Sequence, residues 1–212
     1  LAVTGNKGNG ISLVNQIYCC LYLFTAYIQL LAKHSDNETL AQLIKDILKY
    51  GSEAQNYRNY KKDSLVSVTG SSERVPTNDD MNRSLATADG KTTDDVRFTA
   101  AGVRFDYVNS IYVKVATTNV NNVKVVVNNV TELTLSETNT EGVYIAYSDG
   151  ISALEFDEVV TFTVYYNDEL IQTLTYTVNS YVCDKQEDDK IGNLVLALYN
   201  YGKSAVAYKE AN

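Results

Sequence analysis

The chain has 212 residues, a formal net charge of −8 and a single histidine, His34. A negative charge of this size argues against a nucleic-acid or anionic-lipid partner, because both are bound through clustered Lys and Arg side chains. One histidine excludes zinc sites built from several histidines and argues against a Ser–His–Asp triad. The sequence has no Gly-rich loop ending in Gly-Lys-Ser/Thr, and we therefore predict no cofactor.

The first predicted element is a very apolar helix over residues 11–32. Its most apolar part, residues 17–32, is shorter than the roughly 20 apolar residues that a helix needs to cross a bilayer. We favour a helix buried between other layers, because a helix that is apolar all round is usually buried. An interface with a partner and a membrane span remain the alternatives, and no membrane insertion is predicted.

A second helix is predicted over residues 37–57, with Ser35 or Asp36 as its N-cap. Apolar residues recur in it at the three- and four-residue spacing of one buried helix face. These residues are Leu40, Leu43, Ile44, Ile47, Leu48, Gly51 and Ala54.

Part of this helix recurs near the end of the chain, where we predict a last helix over residues 188–209. Five residues have an identical counterpart 151 positions later: Leu43 and Leu194, Tyr50 and Tyr201, Gly51 and Gly202, Ala54 and Ala205, Tyr57 and Tyr208. A glycine inside a helix costs about 1 kcal/mol relative to alanine, and it leaves room for another backbone. We therefore predict that the two helices touch at Gly51 and Gly202.

Between the helices, the sequence changes from polar to strand-like. Residues 61–95 are polar and predict a linker or surface excursion, with one short strand at residues 65–68. From Val96 the apolar residues alternate with period two through six or seven short strands, and Asn167-Asp168-Glu169 predicts a hairpin turn. This pattern is typical of an antiparallel sandwich of immunoglobulin-like size.

The predicted fold class is therefore α+β: an antiparallel, immunoglobulin-like β-sandwich packed with a layer of about three helices. An N-terminal helical part spans residues 1–60, and the linker spans residues 61–95. The sandwich spans residues 96–182, and the C-terminal part, residues 183–212, carries the helix that packs with the N-terminal helices.

The three cysteines are Cys19, Cys20 and Cys183, and their spacing matches neither a metal site nor a Cys-x-x-Cys redox motif. Buried free thiols are the interpretation we favour. The alternative is one disulfide between Cys183 and either Cys19 or Cys20, which requires an oxidising compartment.

Three phrases carry a resemblance to a known family: LIKDILKYGSEAQNY at residues 43–57, SYV at residues 180–182 and LVLALYNYGKSA at residues 194–205. Together they resemble a helix and β-sandwich module that recurs in large secreted or surface proteins of anaerobic gut Firmicutes. Members of that family read roughly LVKAMLNYGAAAQ-YF, SYVY and LVKALYNYNQAA-AYF at these places. The first and last of these phrases are helices in the family, and SYVY is a strand end, so the resemblance implies a strand end at residues 180–182. The resemblance covers residues 37–209 and implies an extracellular, multi-modular context. It supplies no catalytic residues, and Cys183 departs from its pattern.

Tyr112, Tyr144 and Tyr165 are the candidate ligand-binding residues, because strand alternation predicts all three on the polar face of their strands. Aromatic rings on a flat sheet stack on sugar rings, and phenol hydroxyls add hydrogen bonds. Two alternatives need no ligand: tyrosine is a favoured strand residue, and this face is also where the helices would pack.

We expect a non-catalytic extracellular or cell-surface module with a structural, adhesive or assembly role. Its expected partners are neighbouring modules of the same chain or a second copy. The alternative is a carbohydrate-binding module that takes polysaccharide at the three tyrosines. A hydrolase using paired carboxylates such as Asp79-Asp80 is a third reading, but acidic pairs are usual in turns, and no metal site is predicted.

Overall fold

The computed structural model describes residues 31, 33, 36–59, 68–105 and 108–212. These residues belong to two compact units. We call them the helical unit (residues up to Arg74 and from Asp189 on) and the β unit (Val75–Asp188). Of the predicted apolar helix at residues 11–32 only Leu31 is described, and Cys19 and Cys20 lie outside the described residues.

The described residues form three α-helices and nine β-strands. In chain order they are α1 (Glu38–Tyr57), β1 (Ser84–Thr87), β2 (Val96–Phe105), β3 (Asn109–Thr117), β4 (Val123–Val127), β5 (Thr131–Leu133), β6 (Ser136–Glu137), β7 (Val143–Tyr147), β8 (Val160–Tyr166), β9 (Glu169–Tyr176), α2 (Val178–Lys185) and α3 (Gly192–Ala211). The α+β class is therefore confirmed. None of these three helices is long and apolar enough to cross a membrane.

In the helical unit, α1 and α3 pack side by side and run antiparallel. Near one end, Asn37 Nδ2 donates to Asn212 Oδ1 at 3.2 Å. Further along, the Ser204 hydroxyl donates to the Asp46 carboxylate, and the rings of Tyr50 and Tyr201 stack with centroids 6.0 Å apart. Residue numbers thus rise along α1 as they fall along α3, and the helices meet at equivalent tyrosines of the repeated phrase.

The predicted contact between Gly51 and Gly202 is not found in the described part of the chain. A Cβ added at Gly51 would have no described atom within 4 Å, so no backbone approaches it closely there. The stacked rings of Tyr50 and Tyr201, one residue earlier in each copy, make the contact instead. Large phenol rings at the crossing hold the two backbones apart.

The buried positions of α1 also differ from the predicted apolar stripe. Ala41, Asp46 and Glu53 are its buried residues, whereas Ile47 is 41% exposed. The prediction failed because the surface facing α3 includes the polar side chain of Asp46, which hydropathy spacing assigns to solvent.

Helix ends differ by a few residues from their predicted positions. Asn37, rather than Ser35 or Asp36, caps α1, and its Oδ1 accepts from Leu40 N at 2.9 Å. The last helix begins at Gly192 and ends at Ala211, not at residues 188 and 209. The acidic pair Asp188-Asp189 therefore precedes α3 instead of opening it.

An extended segment, residues 70–74, is tied to both helices by buried polar groups. The Asp46 carboxylate accepts from Ser72 N at 2.6 Å and from Ser72 Oγ at 2.8 Å. The Asn200 amide accepts from Arg74 N at 3.0 Å and donates to Arg74 O at 2.9 Å, as a neighbouring strand would. These bonds give partners to backbone groups of the segment and to the buried side chains of Asp46 and Asn200.

The β unit contains two antiparallel sheets. The five-stranded sheet has the order β1-β9-β8-β4-β5, and the four-stranded sheet has the order β2-β3-β7-β6. One side chain links the two sheets, since Gln172 Oε1 on β9 accepts from Phe98 N on β2 at 2.9 Å. The core is built from alternate residues of both sheets: Phe98, Val103, Ile111, Val113, Val115, Val125, Val127, Ala146, Phe162 and Val164. The sandwich-like arrangement of two antiparallel sheets agrees with the prediction.

The hairpin between β8 and β9 turns at Asn167 and Asp168, as predicted. Their φ angles are +50° and +62°, in the left-handed region that two-residue hairpin turns require. Asn and Asp tolerate this region better than other residues with side chains.

Two predicted boundaries of the sandwich are wrong. Residues 84–87 were assigned to the polar linker, but they form β1 and pair with β9. Residues 178–182 were assigned to a strand end, but they open α2 because Thr177 caps a helix there, its Oγ1 accepting from Ser180 N at 2.9 Å. Val178 and Val182, four residues apart, are both buried on this helix.

Candidate functional site

The three candidate tyrosines do not lie on one face. Tyr112 is in β3 and Tyr144 is in β7 of the four-stranded sheet, whereas Tyr165 is in β8 of the five-stranded sheet. The prediction of one shared surface is therefore wrong. Strand alternation gives the side of each strand but not the sheet to which the strand belongs.

Tyr144 is on the inner side of its sheet, not on the predicted polar side. It pairs directly with Val115, which is fully buried, and paired residues of antiparallel strands share a face. Tyr147 pairs with Tyr112 and is therefore on the outer side. The β7 sequence Val-Tyr-Ile-Ala-Tyr has apolar or aromatic residues on both sides, so its alternation does not indicate which side is buried.

Tyr165 lies on the outer side of the five-stranded sheet, in an open depression of about 430 Å³. It pairs with Lys124, and the Nζ of Lys124 is 3.2 Å from a carboxylate oxygen of Glu132. Asp168 also lines this depression. Among the described residues, no ring contact like that of Tyr112 with Tyr147 is found for Tyr165, and the cation beside it is already paired.

Tyr112 is at the centre of the outer side of the four-stranded sheet, which we call the tyrosine face. Register assigns its members, because residues paired across antiparallel strands project to the same side. They are Arg97, Ala100, Gly102 and Arg104 from β2, Ser110, Tyr112, Lys114 and Ala116 from β3, and Val143, Ile145 and Tyr147 from β7. Two tyrosines and three cations thus share one side of the sheet.

Tyr112 is positioned by a glycine and by a second tyrosine. It lies over Gly102, where an added Cβ would be only 2.6 Å from its Oη. Its ring centroid is 6.3 Å from that of Tyr147, and the two planes are tilted by 60°, a favourable aromatic geometry. Burial, followed by the neighbouring Tyr147, raises the pKa of Tyr112, so its hydroxyl stays protonated and can donate a hydrogen bond.

Arg104 extends the tyrosine face with a positive charge. Its guanidinium carbon lies 4.1 Å from the ring centroid of Tyr147, which is cation–π distance. Its Nε, and the Oγ of Ser110 opposite it on β3, are buried and have no hydrogen-bond partner among the residues that the structure describes. No ion pair of the described chain uses Arg97, Arg104 or Lys114.

Sequence reasoning missed Arg104 and Tyr147 as site residues. The alternation of β2 was hidden by a bulge between Phe98 and Ala100, which moves the later residues to the other side. A clue was nevertheless present, because Gly102 inside a strand indicates close approach of another group.

Other functional groups in the β unit are less organised. A depression of about 360 Å³ is lined by Asp149, Glu155 and Glu158, but Glu155 is engaged in capping a 3₁₀ turn at Ser152 N, 2.8 Å away. Among the described residues, no group of three or more His, Cys, Asp or Glu is arranged to hold a metal ion.

Cys183 is a free thiol on α2, and its predicted disulfide partners lie outside the described residues. Burial raises the pKa of this thiol, and the carboxylates of Asp80 and Asp184 raise it further. The thiol therefore stays protonated at neutral pH and is a weak nucleophile. The disulfide remains a prediction.

Comparison with protein families, curated proteins and solved structures gives no match for this chain. The likeness to the Firmicutes surface module therefore rests on the three sequence phrases at residues 43–57, 180–182 and 194–205.

Proposed function

We propose that this chain is a non-catalytic adhesion module of a larger cell-surface protein, and that it binds carbohydrate on the tyrosine face. The observation that carries the proposal is the cross-strand pair of Tyr112 and Tyr147 on the outer side of one sheet. Polysaccharide chains are extended, so the side of a sheet with aromatic rings suits them better than a deep pocket.

The chemistry of the two rings matches that of a sugar. A pyranose has apolar C–H faces that stack on aromatic rings and hydroxyls that exchange hydrogen bonds at its rim. Because Tyr112 packs on Gly102, its ring has little freedom to lose when a sugar binds, which favours affinity. Its protonated hydroxyl is a donor for a sugar oxygen.

The surface context is inferred from the sequence resemblance, which implies an extracellular, multi-modular protein. An immunoglobulin-like relationship of the two sheets is part of the same proposal, because such sandwiches are common in cell-surface proteins.

A purely structural or assembly role is the second candidate function. It is favoured by the apolar stripe of α1, of which Ile47 is 41% exposed. A neighbouring module of the same chain could cover this stripe, or a second copy could cover it, and the second arrangement would give self-association. Sedimentation of the purified chain over a hundredfold concentration range distinguishes a monomer from such an assembly.

The test of carbohydrate binding is a pull-down of the full chain on insoluble polysaccharides and isolated bacterial cell walls. Tyr112→Ala and Tyr147→Ala are compared with Tyr165→Ala, which removes the same ring from the other sheet. We expect each of the first two changes to weaken binding about threefold to tenfold, the value of an aromatic contact. The control should bind like the parent chain.

Either of two results would overturn the proposal. One is the absence of binding to every polysaccharide and cell wall tested. The other is binding that Tyr165→Ala weakens and that Tyr112→Ala and Tyr147→Ala leave unchanged, which would move the site to the five-stranded sheet. Circular dichroism of each variant establishes that the fold is retained.

A further inference from the structure

The charges on the tyrosine face differ in sign from the charge of the whole chain. The chain carries −8, yet this face has Arg97, Arg104 and Lys114. In the fully described strands β2, β3 and β7, no Asp or Glu occupies an outward position. A local positive field on an acidic protein selects for negatively charged ligands.

The three cations form no ion pair with any described residue, which leaves them available to a ligand. Within the described chain, Lys49, Arg83, Lys91 and Lys124 are the cations held in ion pairs, and none of them lies on this face. The matched surface on the other sheet shows the contrast, because its Lys124 is neutralised by Glu132. A free guanidinium or ammonium gains more from an external anion than a paired one does.

Arg104 is the best placed of the three cations. Its guanidinium carbon lies 4.1 Å from the centroid of the Tyr147 ring, a contact that restrains the position of the charge. A planar guanidinium binds a carboxylate through two parallel hydrogen bonds, which are stronger than bonds between neutral groups. The same neighbourhood therefore offers tyrosine rings for sugar C–H groups and a positioned cation for a carboxylate.

We propose that the tyrosine face is specific for acidic polysaccharides whose sugars carry carboxylates. This inference rests on the proposed carbohydrate binding and adds its ligand class. Tyr112 and Tyr147 stack on sugar rings, Arg104 binds a uronate carboxylate, and Arg97 and Lys114 attract neighbouring carboxylates along the chain. Chain-like ligands with a regular spacing of charge fit three cations spread over strands β2 and β3.

The probe pair that isolates the charge is polygalacturonate and its fully methyl-esterified form, measured by calorimetry with the full chain. The two polymers share one backbone and differ in the carboxylate. We expect the acidic form to bind at least tenfold more tightly. Raising NaCl from 50 to 500 mM should weaken that binding and leave the weak binding of the ester nearly unchanged, because salt screens charges.

Three substitutions test the residues. Arg104→Gln should lower affinity for polygalacturonate about tenfold or more, the effect of a charge-assisted hydrogen bond. The exposed Arg97→Gln, which cannot disturb the core, should lower it about twofold to fivefold. Lys124→Gln, the matched cation on the five-stranded sheet, should change it less than twofold.

The outcomes separate this inference from the proposed function. Equal, tyrosine-dependent affinity for both polymers would leave carbohydrate binding standing and overturn the acidic specificity. Binding to neither polymer nor to any neutral polysaccharide would overturn both. Dextran sulfate and a single-stranded oligonucleotide are the polyanion controls. If both bind as tightly as polygalacturonate and Tyr112→Ala leaves all three affinities unchanged, the face attracts polyanions without recognising sugars, and the inference is overturned.

Discussion

The ring of Tyr112 occupies space that a side chain at residue 102 would fill. An ideal Cβ on Gly102 would be 2.6 Å from Oη, 2.7 Å from Cζ and 2.8 Å from Cε1 of Tyr112. These atoms are the far end of a side chain that can rotate, whereas the strand backbone is fixed by its ladder. A methyl group at this position therefore displaces the ring rather than the strand.

Gly102→Ala is predicted to weaken carbohydrate binding about as much as Tyr112→Ala. The unfolding free energy should change by less than about 2 kcal/mol, because the displaced ring moves toward solvent. Calorimetric titration and urea unfolding measure the two effects. Ala100→Ser, which adds one atom on the same side of β2, is the control and should bind normally. Normal carbohydrate binding by Gly102→Ala would show that the position of the Tyr112 ring over Gly102 is irrelevant to the site.

Tyr176 makes the stability of the β unit sensitive to alkaline pH. Burial raises its pKa, and the Asp184 carboxylate, which accepts from its Oη at 3.4 Å, raises it further. The folded state therefore holds the phenol proton of Tyr176 more tightly than the unfolded state does, in which a tyrosine titrates at about pH 10. The resulting stability is present below that pH and is lost as the pH rises above it.

We predict that the stability advantage of the parent chain over Tyr176→Phe is largest at pH 8 and shrinks steadily toward pH 11. Urea unfolding at each pH measures this difference. Tyr57→Phe removes the hydroxyl of a tyrosine that is 42% exposed and should not alter the pH profile of the parent chain. A constant difference between the parent chain and Tyr176→Phe from pH 8 to pH 11 would contradict the account.

At the scale of elements, the repeated phrase explains the geometry of the helix pair. Two helices that carry the same phrase and run antiparallel can cross only once at equivalent residues, and that crossing is at Tyr50 and Tyr201. The arrangement is that of a two-fold symmetric dimer formed within one chain. Asp46 and Ser204 break the symmetry, because the counterpart of Asp46 in α3 is Ala197.

Asp46 links α1 to α3 and to the segment at residues 70–74. Its carboxylate is the acceptor in each of these hydrogen bonds. The donors are Gln42 Nε2 at 3.1 Å, Ser72 N, Ser72 Oγ and Ser204 Oγ. An asparagine here would direct an NH₂ group at one or more of these donors. Both groups would then be buried without a partner.

Asp46→Asn is accordingly predicted to lower the unfolding free energy of the helical unit by about 1–3 kcal/mol. Urea unfolding followed by far-ultraviolet circular dichroism reports the change. Asp189→Asn, an exposed carboxylate of the same unit, is the control and should stay within about 0.5 kcal/mol of the parent chain. An equally small effect at Asp46 would mean that the segment is held by other contacts.

An element could be predicted correctly from sequence where its apolar residues all fall on one side of the strand or helix. β3 was found with the correct orientation because Ile111, Val113 and Val115 are all fully buried on one side. β7 was found with the wrong side inward because both of its sides are apolar. α2 was read as a strand end because a short run such as Ser-Tyr-Val fits either structure until its cap, Thr177, is recognised.

The site was predicted only in part, since it depends on contacts between strands. Tyr112 followed from the alternation of its own strand, but Tyr147 and Arg104 follow from register and from the bulge in β2. Tyr144 and Tyr165 carry the same side chain, but Tyr144 lies on the inner side of its sheet and Tyr165 lies on the other sheet. Local periodicity specifies which side of a strand is buried, and no local rule specifies which strand is its neighbour.

For the whole molecule, the division into two units predicts that the β unit folds on its own. Residues 75–188 contain both sheets, α2 and a core that includes Phe98, Ile111 and Phe162. A fragment with its own hydrophobic core is expected to fold independently. We predict that this fragment gives a cooperative thermal transition and binds polysaccharide like the full chain. A fragment that is unfolded by circular dichroism would show that the β unit depends on the helical unit.

The central claim is that carbohydrate binds the outer side of the four-stranded sheet. The most direct measurement is a nuclear magnetic resonance titration of the ¹⁵N-labelled full chain with a galacturonate oligosaccharide. The account predicts saturable shifts concentrated at residues of the tyrosine face, led by Gly102, Arg104, Tyr112 and Tyr147, with Lys124 and Tyr165 unmoved. Shifts centred on Lys124 and Tyr165 would contradict it, as would a spectrum that changes neither with the galacturonate nor with neutral oligosaccharides.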